Sequence, residues 1–397
     1  MELIAKIEVK ATQTQWELLC RTANRYNEAC NWLSAQAFQS NTFGKPGLQK
    51  NFYYALKENF ALSAQMALLC IYKVADAYKS SYKKKKREKV CQVRSLGSMS
   101  YDDRVLSYNV AKNTVSIWTL EGRQTLSFLC GNHQKSLLKT RHGQSKLLFV
   151  GGKLFLLPTC QVASTPIEPT QHVLGVDMGI ENIATDSDGN MYGQSVRKRR
   201  RRFHQTRRSL QKKGSKSAKR KLKRRSKKEK RFIQDVNHCI SKQLVKLAKR
   251  TKRAIAMENL SGIRSRTRAL PRDLRRELNS WAFFDLQQKV EYKALLNGVA
   301  SVSVSPAYTS QTCSLCGHCE KANRRSQSEF VCRACGAQLH ADRNAACNIA
   351  SRGVVSLPVW RPVEVVLSDV RGMPNLSPAS SVGAFKPLPE RSEGGGS

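Results

Sequence analysis

Two sets of residues in this 397-residue chain have the types and spacing to do chemistry. The first is Cys313-x-x-Cys316 with Cys332-x-x-Cys335, two pairs separated by 15 residues. Two knuckles of this kind can bring four thiolates to the corners of a tetrahedron, as one structural Zn²⁺ requires. Gly317 and Gly336 each follow the second cysteine of a pair, where a knuckle must turn tightly. His318 and Cys319 are spare ligands that break the paired spacing. A pair of redox Cys-x-x-Cys motifs is the alternative. A single site of this type is structural and says little about reaction type.

The second set is acidic. Asp177 ends the apolar run Val173-Leu174-Gly175-Val176, Glu258 ends Ala254-Ile255-Ala256-Met257, and Asp342 opens a helical run that reaches Ile349. Carboxylates at the ends of adjacent strands, with a third on a facing helix, can converge within a few ångströms. Three such charges repel and raise one another's pKa unless cations sit between them. Mg²⁺ suits oxygen ligands and keeps waters for chemistry. Two ions about 4 Å apart can activate a water and stabilise the leaving oxygen of a phosphodiester. Taken singly, each acid also has a plain alternative: a turn start for Asp177, a sheet-edge cap for Glu258, a helix N-cap for Asp342.

The elements that must position these residues are legible in part. Residues 2–10 alternate as a half-buried strand, and helices are expected over Thr14–Gln39 and Leu62–Lys86, joined by a loop at Gly44, Pro46 and Gly47. Short strands follow at Thr114–Leu120, Gln124–Leu129, Leu147–Val150 and Leu154–Leu157, the last two as a hairpin about Gly151-Gly152. This order describes a β module interrupted by a helical insertion. Ala163–Thr170 is a linker. Strands at Val173–Asp177, Asn182–Thr185, Ala254–Glu258 and Val299–Val304 and helices at Arg272–Asn297 and Asp342–Arg352 make a second, α/β unit. The tail from Gly353 is rich in Pro, Ser and Gly and is expected to be disordered.

Composition narrows the partner. Lys and Arg number 69 against 29 Asp and Glu, a formal charge of +40, which a polyanion would neutralise. A hydrophobic fraction of 40% excludes a wholly disordered basic tail. No run approaches the roughly 20 apolar residues of a membrane span. The N-terminus has no signal-peptide block, and scattered single thiols suit a reducing compartment.

The motifs together resemble a known family. Gly175-Val176-Asp177-Met178-Gly179, Met257-Glu258-Asn259-Leu260, Tyr308-Thr309-Ser310-Gln311-x-Cys313-Ser314-x-Cys316-Gly317 and Asp342-x-Asn344-Ala345-Ala346-x-Asn348-Ile349 are similar to the four motifs of TnpB. TnpB is the transposon-encoded RNA-guided nuclease ancestral to type V CRISPR effectors. Arg25-Tyr26-Asn27 and Ala64-Gln65 extend the resemblance, which covers Leu3 to Arg352. One departure is that the family often has Asp-Arg-Asp before the Asn-Ala-Ala run, whereas here Ala341-Asp342 stands alone; Asp342 aligns with the second of those aspartates and keeps the catalytic position.

The resemblance implies an α/β nuclease domain, RuvC-like with an RNase H fold and a zinc-ribbon insertion, plus an N-terminal β-barrel wedge domain with a helical recognition lobe inserted. On that basis residues 1–10 and 90–165 form the wedge, 11–89 the recognition lobe, and 171–311 with 337–352 the nuclease. Within the nuclease, 197–252 is a basic helical segment and 312–336 a zinc-binding insertion; 353–397 is the tail. Asp177, Glu258 and Asp342 carry over as the catalytic acids, holding two Mg²⁺, or Mn²⁺ in their place. Cys313, Cys316, Cys332 and Cys335 hold one structural Zn²⁺. The implied partners are a guide RNA from the transposon right end and double-stranded target DNA beside a short flanking motif. The implied setting is a monomer with RNA, off the membrane, in the prokaryotic cytoplasm at the nucleoid.

Arg197–Arg231 has 21 Lys or Arg and one acid, Glu229. Such a helix relieves its own repulsion against a phosphate backbone by counterion release. Its candidate contacts include Arg197, Arg199, Arg200, Arg201, Arg202, Lys219, Arg220 and Arg224. Its two aromatics, Phe203 and Phe232, are too few for base stacking to dominate. Three rivals remain: a miniature type V CRISPR effector, a non-cleaving guided repressor, and a strand-joining transposase. The knuckles between the second and third acids disfavour the last.

Overall fold

In this computed structural model residues 1–83, 89–260, 275 and 283–357 are described. The shorter basic runs Lys83–Arg87 and Arg264–Arg276, for which solvated surface and nucleic-acid contact are alternative readings, the start of the helix expected from Arg272, and the tail beyond residue 357 lie wholly or largely outside them.

The N-terminal half is an antiparallel near-barrel with helices inserted after its second strand. Its strands are β1 (Glu2–Ile4), β2 (Ile7–Lys10), β3 (Met99–Tyr101), β4 (Leu106–Asn109), β5 (Thr114–Thr119), β6 (Gly122–Leu129), β7 (Arg141–Val150) and β8 (Lys153–Gln161). They run in the order β3-β7-β8-β2-β6-β5-β4, with β1 also on β8. The inserted helices are α1 (Gln13–Gln39), α2 (Lys45–Phe60) and α3 (Ala64–Lys83). Thr12 and Gln15 start α1 with a reciprocal capping box. One core joins sheet and helices: Ile7 and Val9 pack in the same cluster as Leu19, Tyr26 and Leu33.

Two expectations change here. The segment read as a loop at Gly44, Pro46 and Gly47 is the start of α2, with Gly44 as N-cap and Pro46 in the first turn. A first-turn proline forfeits no helical hydrogen bond, so it opens the helix instead of breaking it. The hairpin at Gly151-Gly152 forms as expected, both glycines at positive φ (62° and 73°), but its strands run well beyond Leu147–Leu157. A short helix, α4 (Asn132–Leu138), joins β6 to β7 and was not expected.

The C-terminal half is built on a five-stranded sheet. Its strands are β9 (Val173–Asp177), β10 (Ala184–Asp186), β11 (Met191–Tyr192), β12 (Ala254–Glu258) and β13 (Ser301–Val304), in the order β11-β10-β9-β12-β13. β9, β12 and β13 are parallel, and β10 and β11 antiparallel. Parallel neighbours need long crossovers, and helices supply them. α5 (Val196–Lys213) and α6 (Lys216–Arg250) precede β12, and α7 (Phe283–Leu296) precedes β13. The basic block expected as one stretch is therefore a hairpin of two helices, broken at Gly214 (φ 64°) and recapped by Ser215. The linker Ala163–Thr170 is irregular but tethered, with Glu168 N donating to Gly298 O at 3.3 Å.

The period of two along β9 and β12 divides the sheet. Leu174, Val176, Ile255 and Met257 pack under α6 and α7, against Leu244 and Val290. Val173, Ala254 and Ala256 face the other way, toward α8 (Ala341–Ser356) through Ile349. That face is small-residued because α8 lies almost on the strands. A Cβ on Gly175 would sit 2.0 Å from Ala346 O and 2.5 Å from Ala350 N. One on Gly353 would meet Ala256 Cβ at 2.6 Å. Gly353, expected to begin the tail, is thus a core residue of a helix that runs to Ser356. Among the described residues no helix is long and apolar enough to cross a membrane.

Gly175→Ala should accordingly destabilise the fold by about 3 kcal/mol, the upper end of overpacking costs, because backbone blocks the new methyl. Chemical denaturation checks this, and Gly44→Ala, at negative φ with only Pro46 Cδ at 3.9 Å from the new methyl, is the milder comparison.

Candidate functional site

Strand register brings the first two acids together. Met257 pairs with Val176 in the parallel ladder, so Glu258 and Asp177 are the next residues of neighbouring strands. By the same alternation both share the face on which α8 packs. Asp342 lies in the first turn of that helix, where an acid also favours the helix dipole. Three carboxylates from positions 177, 258 and 342 therefore meet at one end of the α8–sheet contact.

Electrostatics reports the meeting. Withdrawal from water pushes Asp177 up to about 8, and the charges of Glu258 and Asp342 add to the rise. Arg324 and the Met178 N–H oppose it. Each of the other two acids has a held geometry. The buried Thr309 hydroxyl donates to Glu258 Oε1. Asn182 Nδ2 donates to Asp342 Oδ2 at 3.0 Å, and Arg324 Nη2 stands 3.7 Å from Asp342 Oδ1. The Asp342 N–H donates to His340 Nδ1 at 3.3 Å, which makes His340 the helix cap and not Asp342.

Two asparagines bind the knuckle segment to the same helix. Asn344 Nδ2 donates to Thr312 O (2.8 Å), and its Oδ1 accepts from Ser314 N (2.9 Å). Asn348 Nδ2 reaches Thr309 O (2.9 Å) and Thr312 O (2.7 Å). So the Asn-x-x-x-Asn of the fourth motif fastens the segment that carries Thr309 toward Glu258. None of Asn182, Thr309, Arg324, Asn344 or Asn348 was singled out as a site residue. Thr309, Asn344 and Asn348 stand within the quoted motifs, which is the signal the sequence holds for them; Asn182 and Arg324 carry none until their partners are known.

The cysteine quartet forms one cluster, with all four sulfurs within 4.8 Å of one another. Cys313 and Cys335 sulfurs are 3.8 Å apart and those of Cys316 and Cys332 are 3.5 Å apart. Tetrahedral Zn–S bonds of about 2.3 Å imply edges of about 3.8 Å, so the quartet fits the ion. The two knuckles repeat one geometry. Gly317 N and Gly336 N donate to Cys313 O and Cys332 O, both at 3.0 Å, with positive φ at each glycine. The Cys335 backbone N–H, against burial and with help from the Ala334 N–H, pulls the Cys332 thiol down to about 6. Cys319 and His318 stand outside the cluster; His318 pairs with Glu320. Among the described residues no other set of three or more such ligand atoms closes within 4.8 Å, so the acids are spread more widely than a single-ion cage.

The basic hairpin stands between the first two acids in sequence. Arg199, Arg201, Arg202, Lys219, Arg220 and Arg224 are exposed, and Arg197 and Arg200 half-buried, Arg197 pairing with Glu181. Phe203 and Phe232 face each other inside the hairpin, edge to face at 5.7 Å, so they hold helix to helix.

Comparison with known proteins finds relatives in both sequence and fold. Residues 157–262 match the family model described as "Probable transposase", and residues 283–349 match "Cas12f1-like, TNB domain". The chain is 43% identical over 121 residues to the CRISPR-associated endodeoxyribonuclease Cas12f1 of Sulfoacidibacillus thermotolerans, covering 30% of this chain and 27% of that protein. It is 32% identical over 227 residues to the "Putative RNA-guided DNA endonuclease InsQ" of Escherichia coli K12, covering 51% and 54%. It is 28% identical over 240 residues to a TnpB-like protein of Methanocaldococcus jannaschii, covering 57% and 85%. The chain thus spans about a quarter to a half of the first curated relatives it matches. In fold it is similar to the mini-RNA-guided endonuclease CRISPR-Cas_phi3, with a TM-score of 0.55 at 11% identity over 90% of this chain and 93% of that one. The resemblance to TnpB read from the motifs is borne out.

Two outcomes follow from the geometry. Washed protein should contain about one zinc per chain, and Cys332→Ser should lose it together with local order at residues 308–345, read by hydrogen exchange. Zinc retained without Cys332 would mean Cys319 or His318 serves. Asp177, with its folded pKa raised to about 8, is stabilising below its unfolded pKa and loses that contribution as pH rises toward 8. Metal-free Asp177→Asn should therefore melt higher than wild type at pH 8, and the gap should shrink toward pH 4.

Proposed function

We propose that this protein is an RNA-guided DNA endonuclease of TnpB type. The convergence of Asp177, Glu258 and Asp342 at one end of the α8–sheet contact carries the reading. The matched relatives are named as RNA-guided endonucleases or CRISPR endodeoxyribonucleases, which supports it. Strand order supports an RNase H-like, RuvC-type nuclease: counted within the unit, it is 3-2-1-4-5. On this reading residues 171–311 and 337–352 are the nuclease and 312–336 its zinc ribbon. Residues 1–10 and 90–165 are the wedge, 11–89 the recognition lobe, and the tail follows.

Asp177, Glu258 and Asp342 would hold two magnesium ions, or manganese in their place, which would supply water activation and charge neutralisation at the scissile phosphodiester. The chain's own part is positional. Thr309 and Asn182 fix the carboxylate rotamers, as outer partners of metal ligands do. Arg324 brings a cation from the knuckle segment to the rim of the acids, where a phosphate would enter. The hairpin cations, among them Arg199 to Arg202, Lys219, Arg220 and Arg224, hold nucleic-acid backbone. Guide pairing then selects the target, and the protein reads duplex shape and a short flanking motif. The guide comes from a transposon right end, and the loaded particle is a monomer that works on DNA at the nucleoid. The match over residues 283–349 favours one second reading, a compact CRISPR effector; an adjoining repeat array in the DNA would decide for it.

Cleavage of a plasmid target should require guide, Mg²⁺, complementarity and flanking motif together, and should follow the spacer when it is changed. Asp342→Ala should abolish cutting while guided binding persists, because affinity comes from phosphates and base pairs. Thr309→Val should slow cutting by about 10- to 100-fold. Cutting that ignores the spacer would mean that the protein reads DNA itself.

A further inference from the structure

Glu229 is the one acid among the 21 cations of residues 197–231, and it is buried. Its carboxylate accepts from Arg207 of α5, and Arg225 of α6 stands 3.8 Å away, one helical turn earlier. The neighbouring contacts form a ladder between the helices. The Arg225 guanidinium lies over Phe203 (5.4 Å), Phe203 meets Phe232, and Arg199 lies over Phe232 (4.9 Å). A groove between the helices is lined by Arg207, Gln211, Lys223, Arg225, Ser226 and Glu229.

We propose that this groove is a phosphate seat for nucleic-acid backbone, and that Glu229 is its positioning residue. The inference rests on the reading of the hairpin as a nucleic-acid surface. A long arginine loses rotamer freedom when it binds, and a buried carboxylate behind it removes that loss in advance. Glu229 draws Arg207 and Arg225 from opposite helices to one point. Their planar forks can then meet a phosphate with parallel N–H donors, which a lysine cannot reproduce. The same acid relieves repulsion where two guanidinium groups would otherwise face each other.

Simple charge counting makes the opposite prediction, which gives the test its force. Glu229→Gln raises the positive charge of the chain by one, so unstructured electrostatics would tighten polyanion binding. The measurement is binding of the full chain to a labelled 20-base-pair RNA–DNA heteroduplex across a salt series. Glu229→Gln should instead bind on the order of tenfold more weakly at 0.15 M salt, with the salt slope reduced by about two, one per displaced contact. Arg207→Lys with Arg225→Lys keeps charge and helix propensity and should weaken binding to a similar extent. In an Arg207→Ala, Arg225→Ala background, Glu229→Gln should add no further loss, because the acid acts through those two side chains. Tighter binding by Glu229→Gln, wild-type binding by the double lysine variant, or an added loss in the alanine background would each overturn the proposal. Wild-type binding by the alanine pair itself would overturn it too, whereas wild-type binding by a chain with the exposed Arg199, Arg201, Arg202, Arg220 and Arg224 neutralised would mean that the hairpin is not the nucleic-acid surface and that the underlying reading fails instead.

Discussion

The near-contact between α8 and the β9–β12 face is the constraint on which the candidate site depends. Glycine at 175 and 353, with alanine at 254 and 256, lets the helix backbone approach the strands to within one missing methyl group. That approach carries Asp342 to the ends of the two strands that present Asp177 and Glu258. A helix held off by ordinary side chains would leave the third carboxylate outside the cluster. Asn344 and Asn348 are one turn apart on the same helix, so the same docking presents both to the knuckle segment.

The site is assembled against its own electrostatics. Three acids crowd together, and Asp177 answers by holding its proton to about 8. The restraining partners are Thr309, Asn182 and Arg324; Thr309 comes from the segment that the asparagines fasten, and Arg324 from between the two cysteine pairs. The cysteine cluster thus sits beside the acids as a brace for the loop that orients Glu258. Stability given up at the acids is regained if a cation binds there, the usual relation between a functional site and the fold that carries it.

The basic hairpin is the reverse case, a surplus of like charge of the other sign. It holds its shape through a short ladder of two aromatic rings, three arginines and a single buried acid. In sequence Glu229 is an exception to a run. In three dimensions it is the point where the two helices are tied.

The sequence by itself determined the sites that depend on local spacing. The knuckles, the apolar runs ending in Asp177 and Glu258, and the helix opening at Asp342 were legible because a turn or a period of two or 3.6 leaves its mark within ten residues. Short-range rules failed where one residue type has two uses. Pro46 begins α2 where it was read as breaking the chain, and Gly214 splits a basic run that looked continuous. The tertiary structure alone decided what each polar residue holds. Thr309 reaches Glu258 across 51 residues, Asn182 reaches Asp342 across 160, and Arg207 meets Glu229 across a helical turn-back. A hydrogen bond or ion pair belongs to two groups at once, and a linear sequence shows only one of them at a time.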